Sequence, residues 1–130
     1  MVAKLTEGQA KVFLEPNLGV VVTLRRDGST HMTPVWVDAR DGDVLFNTAE
    51  GRVKPRRLRR DPRVGVFVVD RHDDYRWVSV WGRAELTTEG AEEHIHELSR
   101  KYMGHEYRGG GLGQRIIVRV HADRIESRGT

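Results

Sequence analysis

The sequence predicts a mainly β fold, a small six-stranded antiparallel barrel with flanking helices. Three observations carry this. Short apolar runs recur along the chain, several of the turns between them are hairpin-short, and six strands in only 130 residues close most economically into a barrel, which removes exposed sheet edges. A chain of this length is one domain, spanning residues 1–130.

The elements follow in order. "LTEGQAKVFL" opens with Thr6 and carries Gln9 three residues later, a capping-box pattern. Ala10, Phe13 and Leu14 then supply an apolar stripe, so a short amphipathic helix is expected, stopped by "EPN". "LGVVVTL" at 18–24 is a first strand, apolar on both faces. Asp27-Gly28 marks a hairpin turn, and "THMTPVWV" at 30–37 is the return strand. "DARDGD" reads as a second turn, "DVLFNTA" at 43–49 as a third strand and "RVGVFVV" at 63–69 as a fourth. A long fifth strand covers 75–86 and a sixth covers 115–120. Between these two, Ala91, Ile95, Leu98 and Tyr102 recur at helical spacing.

Residues 52–63 are the chemical anomaly. Seven of the twelve are basic and only Asp61 is acidic, a local charge of +6 in a chain whose total is +3. Pro55 is tolerated only in a first helical turn and Pro62 ends the helix, leaving two to three turns. At 100° per residue, Arg52, Arg56, Arg59 and Arg60 share one sector and face solvent. Lys54 and Arg57 lean towards the side anchored by Val53 and Leu58. A strand end at Thr48, a turn at Gly51 and a helix start with Lys54 form a suitable frame for a phosphate. The segment reads either as a solvated charged face or as an anion site, with Arg56, Arg59 and Arg60 on the solvated side of that choice.

Two further features stand out. Pro34 cannot donate to a ladder, so its strand is an edge or bulges there. In the fifth strand Arg76, Val78, Val80, Gly82, Ala84 and Leu86 form one mostly small, apolar face, while Tyr75, Trp77, Ser79 and Trp81 form the other. Aromatics on the outside of a barrel are covered by a second subunit, by a planar ligand or by a helix of the same chain.

Other classes are set aside by what is missing. There is no cysteine, hence no disulfide framework, thiolate zinc site or cysteine nucleophile. No apolar run approaches a membrane span, and the N-terminus lacks a hydrophobic signal region. A soluble, cytoplasmic protein without membrane or nucleic-acid partners is expected. The arginines are too local, and too separate from the aromatics, for a single-strand stacking platform. "GGGLG" at 109–113 lacks the Lys-Ser/Thr of a phosphate loop and reads as a flexible loop. His94 and His96 are two apart on a helix and are poor joint ligands, so no metal site is expected. No constellation for side-chain catalysis is apparent, so any chemistry belongs to a cofactor.

Three motifs in this order, "VVVTLRRDGSTHMTPVWVD", "FNTAEGRVKPRRLRRDPRV" and "VSVWGRAEL", resemble the pyridoxamine 5′-phosphate oxidase-like family of FMN-binding split β-barrels. More closely they resemble its branch of deazaflavin-dependent oxidoreductases using coenzyme F420. The resemblance covers residues 6 to 125. It implies a homodimer with the cofactor at the subunit interface and hydride transfer from the reduced cofactor to a small electrophilic acceptor. It places Thr33, Pro34, Val35 and Trp36 alongside the ring. Asn47, Thr48, Arg52 and Lys54 fall on the phosphate side, and Trp77 reaches the site from the other subunit. The family commonly has Arg-Asn-Leu after the lysine, where this chain has Arg56-Arg57-Leu58 preceded by Pro55. Arg57 in place of asparagine adds a contact for a phosphate or for a polyglutamate tail. The alternatives are an FMN-binding flavoprotein of the same fold and a non-catalytic deazaflavin-binding module.

Overall fold

A computed structural model describes residues 2–109 and 113–130. The Gly-rich stretch read as a flexible loop therefore lies mostly outside the described residues. The order of elements is α1 (Glu7–Leu14), β1 (Gly19–Leu24), β2 (Thr30–Val35), β3 (Val37–Arg40), β4 (Asp43–Ala49), α2 (Val53–Arg60), β5 (Arg63–Asp70), β6 (Asp73–Thr87), α3 (Ala91–Met103) and β7 (Arg115–Arg128).

The strands form one antiparallel sheet in the order β2-β1-β5-β6-β7-β4-β3. Its two edge strands, β2 and β3, are consecutive in the chain and joined through Trp36 alone. Neighbouring Cα atoms are about 3.8 Å apart, so the sheet has to curl until its edges nearly meet. The result is a split barrel with three flanking helices, built from seven strands where six were expected.

The extra strand comes from residues 30–40. The expected single return strand changes partner at Trp36: β2 pairs with β1, and β3 pairs with β4. "DAR" is therefore strand, and the turn shrinks to Asp41-Gly42, both at positive φ (53° and 81°), as a two-residue hairpin requires. Pro34 lies on edge strand β2 opposite Val20. It marks an edge and not a bulge; the register shifts fall instead at Val69/Asp70 and Trp81/Gly82. β7 runs eight residues beyond the expected end at 120 because its polar second half continues the ladder on β6.

The barrel interior is filled by Val21, Val37, Val44, Phe46, Val64, Val66, Val68, Val78, Val80, Ile116, Val118 and Val120. The predicted small, apolar face of β6 is this interior face. α1 has the capping box between Thr6 and Gln9, but it buries Val12 and Phe13 and leaves Leu14 half exposed. α2 is anchored by Pro55 and Leu58, while Val53 stays exposed. α3 covers Leu45 and Ile117 on the outer side of β4 and β7 through Ala91.

Candidate functional site

A cavity of about 340 Å³ opens on the outer side of the sheet, lined by Leu18, Pro34, Val35, Trp36, Asn47, Ile95, Leu98 and Tyr107. Three of the four residues expected alongside a ring therefore share one cavity, with Asn47 on its wall. Trp36 is held in place by stacking on Tyr102 at 5.5 Å and 6°, with Tyr107 edge-on at 6.4 Å. Thr33 lies on the face of β2 opposite Pro34, with its Oγ1 buried and without a hydrogen-bond partner among the described residues. Thr23 on β1 carries a second such hydroxyl.

Strand alternation separates the next pair. Asn47 faces α3 and Thr48 the barrel interior, next to each other in the chain but on opposite faces of β4. The Asn47 amide is fully engaged. Its nitrogen donates to the Ala91 carbonyl (2.9 Å) and to His94 Nδ1 (3.1 Å), and its oxygen accepts from Arg115 Nε (2.9 Å). His94, 1 % exposed, donates from Nε2 to Asp38 (3.0 Å). An Nδ1 that accepts and an Nε2 that donates define the neutral tautomer. Burial alone would raise the Asp38 carboxyl; the bonds from His94 and the Ala39 amide, with Lys101 nearby, outweigh it and hold the group below its ordinary value.

Lys101 and Tyr102 brace this wall. Lys101 Nζ donates to the Phe13 carbonyl (2.8 Å) and to that of Val37. Burial pushes its pKa down to about 8 against the pull of Asp38. The Tyr102 hydroxyl donates to the Asn17 carbonyl (2.6 Å) and accepts from the Val37 amide (3.1 Å), and burial pushes it up to about 12.

Arg115 is 5 % exposed. Its guanidinium lies 5.2 Å from the Tyr107 ring centroid, and one terminal nitrogen is buried without a partner among the described residues. Burial lowers its pKa from the ordinary arginine value, Tyr107 opposes that, and Arg52 adds to it.

α2 divides its cations as the helical wheel predicts. Arg52, Arg56, Arg59 and Arg60 are exposed; Lys54 and Arg57 are half-buried. Arg59 is neutralised by Glu50, and Arg63 by Asp61 at 2.7 Å. Lys54, Arg52, Arg56, Arg57 and Arg60 form no ion pair among the described residues. Burial first, then Arg52 and Arg57, pull Lys54 below the ordinary lysine range. Arg57 donates to His31 Nδ1 at 2.6 Å. Desolvation, then Arg57, Arg25 and Lys54, hold that imidazole below its ordinary pKa, so it accepts as the neutral ring. Arg25, Arg26, Arg56, Arg57 and Arg60, with Val53, enclose a basin of about 510 Å³ that contains no acidic side chain.

Trp77 stands apart from both places. It packs on Phe67 on the outer face of β5 and β6, ring centroids 5.8 Å apart. Two rows cross that face, Met32–Val22–Gly65–Trp81 and Pro34–Val20–Phe67–Ser79. Met32, Phe67, Tyr75 and Trp81 are exposed there, and Pro34 joins the face to the cavity.

Sequence reasoning missed Asp38, His94 and Arg115. His94 lies three residues after Ala91 and four before Leu98, on the buried stripe, which was the available signal. Asp38 sat in a stretch read as turn. Arg115, at the head of an apolar run, gave no signal.

The chain matches the model of the pyridoxamine 5′-phosphate oxidase family over residues 5–129. Its fold is similar to that of an F420 reductase, with a TM-score of 0.81 and 22 % identity, over 94 % of this chain and 98 % of that one. A conserved hypothetical protein from Mycobacterium tuberculosis matches with a TM-score of 0.77 and 26 % identity, over 98 % of this chain and 86 % of that one. A pyridoxamine 5′-phosphate oxidase-like protein from Listeria innocua matches at 0.69 and 17 %, over 92 % and 94 %. With the family model spanning nearly every residue and the split barrel shared by these structures, the chain belongs to the pyridoxamine 5′-phosphate oxidase family.

Proposed function

We propose that this protein is a homodimeric oxidoreductase that uses coenzyme F420 to reduce a small electrophilic organic acceptor. The observation that carries the reading is that β2 leads from an apolar, aromatic-walled cavity at residues 34–36 at its one end to an acid-free arginine basin at its other, where His31 accepts from Arg57. The structural likeness to an F420 reductase supports the choice of cofactor.

The residues fit such a group. The half-buried Lys54 and Arg57, with no ion pair among the described residues, are what an anionic ligand satisfies. Pro34, Val35 and Trp36 would flank the ring, Arg52, Lys54 and Thr48 would hold the phosphate, and Arg57 with the basin beside it would take an acidic tail. That basin favours F420 over FMN, which ends at its phosphate. When bound, the reduced deazaflavin would supply a hydride to the acceptor. The chain's own part is orientation and exclusion of water: Trp36 is fixed between Tyr102 and Tyr107, and Asn47 by three hydrogen bonds. The apolar outer face that runs from Pro34 to Trp81 would be the dimer contact, placing Trp77 of the second subunit at the site.

The test is Lys54→Ala against Arg63→Ala as control, since Arg63 is already paired with Asp61. Losing one charge-assisted contact costs about 1.5–3 kcal/mol, so the first variant binds F420 about 10- to 100-fold more weakly and the control binds normally. Equal affinity in all three proteins would remove Lys54 from the site.

A further inference from the structure

A buried cation without a counter-charge is costly and is kept where something else neutralises it. Arg115 is such a cation. It is 5 % exposed and makes no ion pair among the described residues, and one terminal nitrogen is buried and unpartnered. Arg52 is the cation beside it, and Glu92 acts on it only from beyond ion-pair distance. The side chain is also fixed. Its Nε donates to Asn47, whose amide is held by Ala91 and by His94, which Asp38 holds in turn. Its guanidinium carbon lies over the Tyr107 ring, 5.2 Å from the ring centre. Asn47 and Tyr107 both line the 340 Å³ cavity, whose other walls are apolar or aromatic. Arg115 itself lies behind Asn47 and Tyr107 and outside the cavity lining, with one N–H left for an anionic oxygen that reaches between them.

We propose that Arg115 anchors a single carboxylate or phosphate group of a flat, apolar ligand seated in this cavity. The inference rests on the cavity being the ligand site of the reading above. Two sources present that chemistry: a carboxylate on the acceptor, and the phosphate of the cofactor.

The experiment titrates the full-length protein calorimetrically, without cofactor, with trans-cinnamate and with neutral cinnamamide, and separately with FMN and with riboflavin. It is repeated on Arg115→Gln and Arg115→Lys. An acceptor carboxylate predicts that the native protein prefers cinnamate over cinnamamide by about 10- to 100-fold. That preference disappears in Arg115→Gln and is partly kept in Arg115→Lys. A cofactor phosphate predicts the same pattern for FMN over riboflavin and none for the cinnamate pair. If neither anionic member is preferred by the native protein, or if Arg115→Gln keeps both preferences, the proposal is overturned. Where Arg115→Gln fails to fold, Arg115→Lys decides, and full retention of the native preference in that variant overturns the proposal. Because the cinnamate pair involves no cofactor, failure to bind F420 leaves that arm intact, and F420 binding without any anion preference at Arg115 defeats this inference alone.

Discussion

At Lys101, burial and the charge of Asp38 pull in opposite directions. Burial holds its pKa at about 8 against an ordinary 10.5, and Asp38 opposes the shift. Tyr102 stays neutral beside it, pushed up to about 12. Below pH 8 folded and unfolded chains both carry the proton; between 8 and 10.5 the unfolded chain binds more. Lys101's contribution is therefore fully present above about pH 10.5 and is lost as pH falls through 8. Urea midpoints of the native protein and Lys101→Met should diverge in favour of the native protein from pH 7.5 to pH 10. A constant difference would contradict the assignment. Asn47→Ala tests the wall itself. It strands the Nε of Arg115 and the Nδ1 of His94, and should cost about 1–3 kcal/mol for each group left buried and unpaired, read from denaturant unfolding. At this scale the sequence exposed Pro34 and Lys54, because a missing donor and a charge on an apolar side are each odd by themselves, whereas Trp36 came only through the family resemblance. It concealed Asp38 and Arg115, whose meaning lies in partners that strand pairing brings together from distant segments.

The elements were legible wherever one local pattern sets them. The capping box at Thr6, the helical spacing from Ala91 and the alternation of β6 all appear in the fold. Thr6→Ala should lower stability by about 1 kcal/mol. Patterns that depend on a change of partner were not legible. The strand through Trp36 is continuous in sequence and split in space, because β2 and β3 belong to opposite edges of the sheet. The bulge at Gly82 is similar. A Cβ there would sit 2.1 Å from the His121 carbonyl oxygen and 2.8 Å from the Ala122 Cα, so β7 must shift to admit it. Gly82→Ala should destabilise by about 1–3 kcal/mol or more, with a lowered denaturant midpoint. A neutral result would mean that β6 and β7 are not so closely apposed.

For the molecule as a whole, the chain fills the interior of its split barrel yet leaves Met32, Phe67, Tyr75 and Trp81 exposed on one face. In the proposed homodimer a second copy would cover that face. Light scattering should therefore give twice the chain mass of 14.9 kDa, and Trp81→Arg should shift the protein down towards the mass of a single chain. A native monomer would leave the face unexplained. Whether the cavity and the cations of α2 together serve F420 is decided by equilibrium binding of coenzyme F420 and of FMN to the native protein, side by side at physiological salt, followed by ligand fluorescence. F420 should bind tightly and FMN markedly more weakly, because only F420 carries acidic groups into the basin beyond the phosphate. FMN binding as tightly as F420, or neither binding, would contradict the F420 reading.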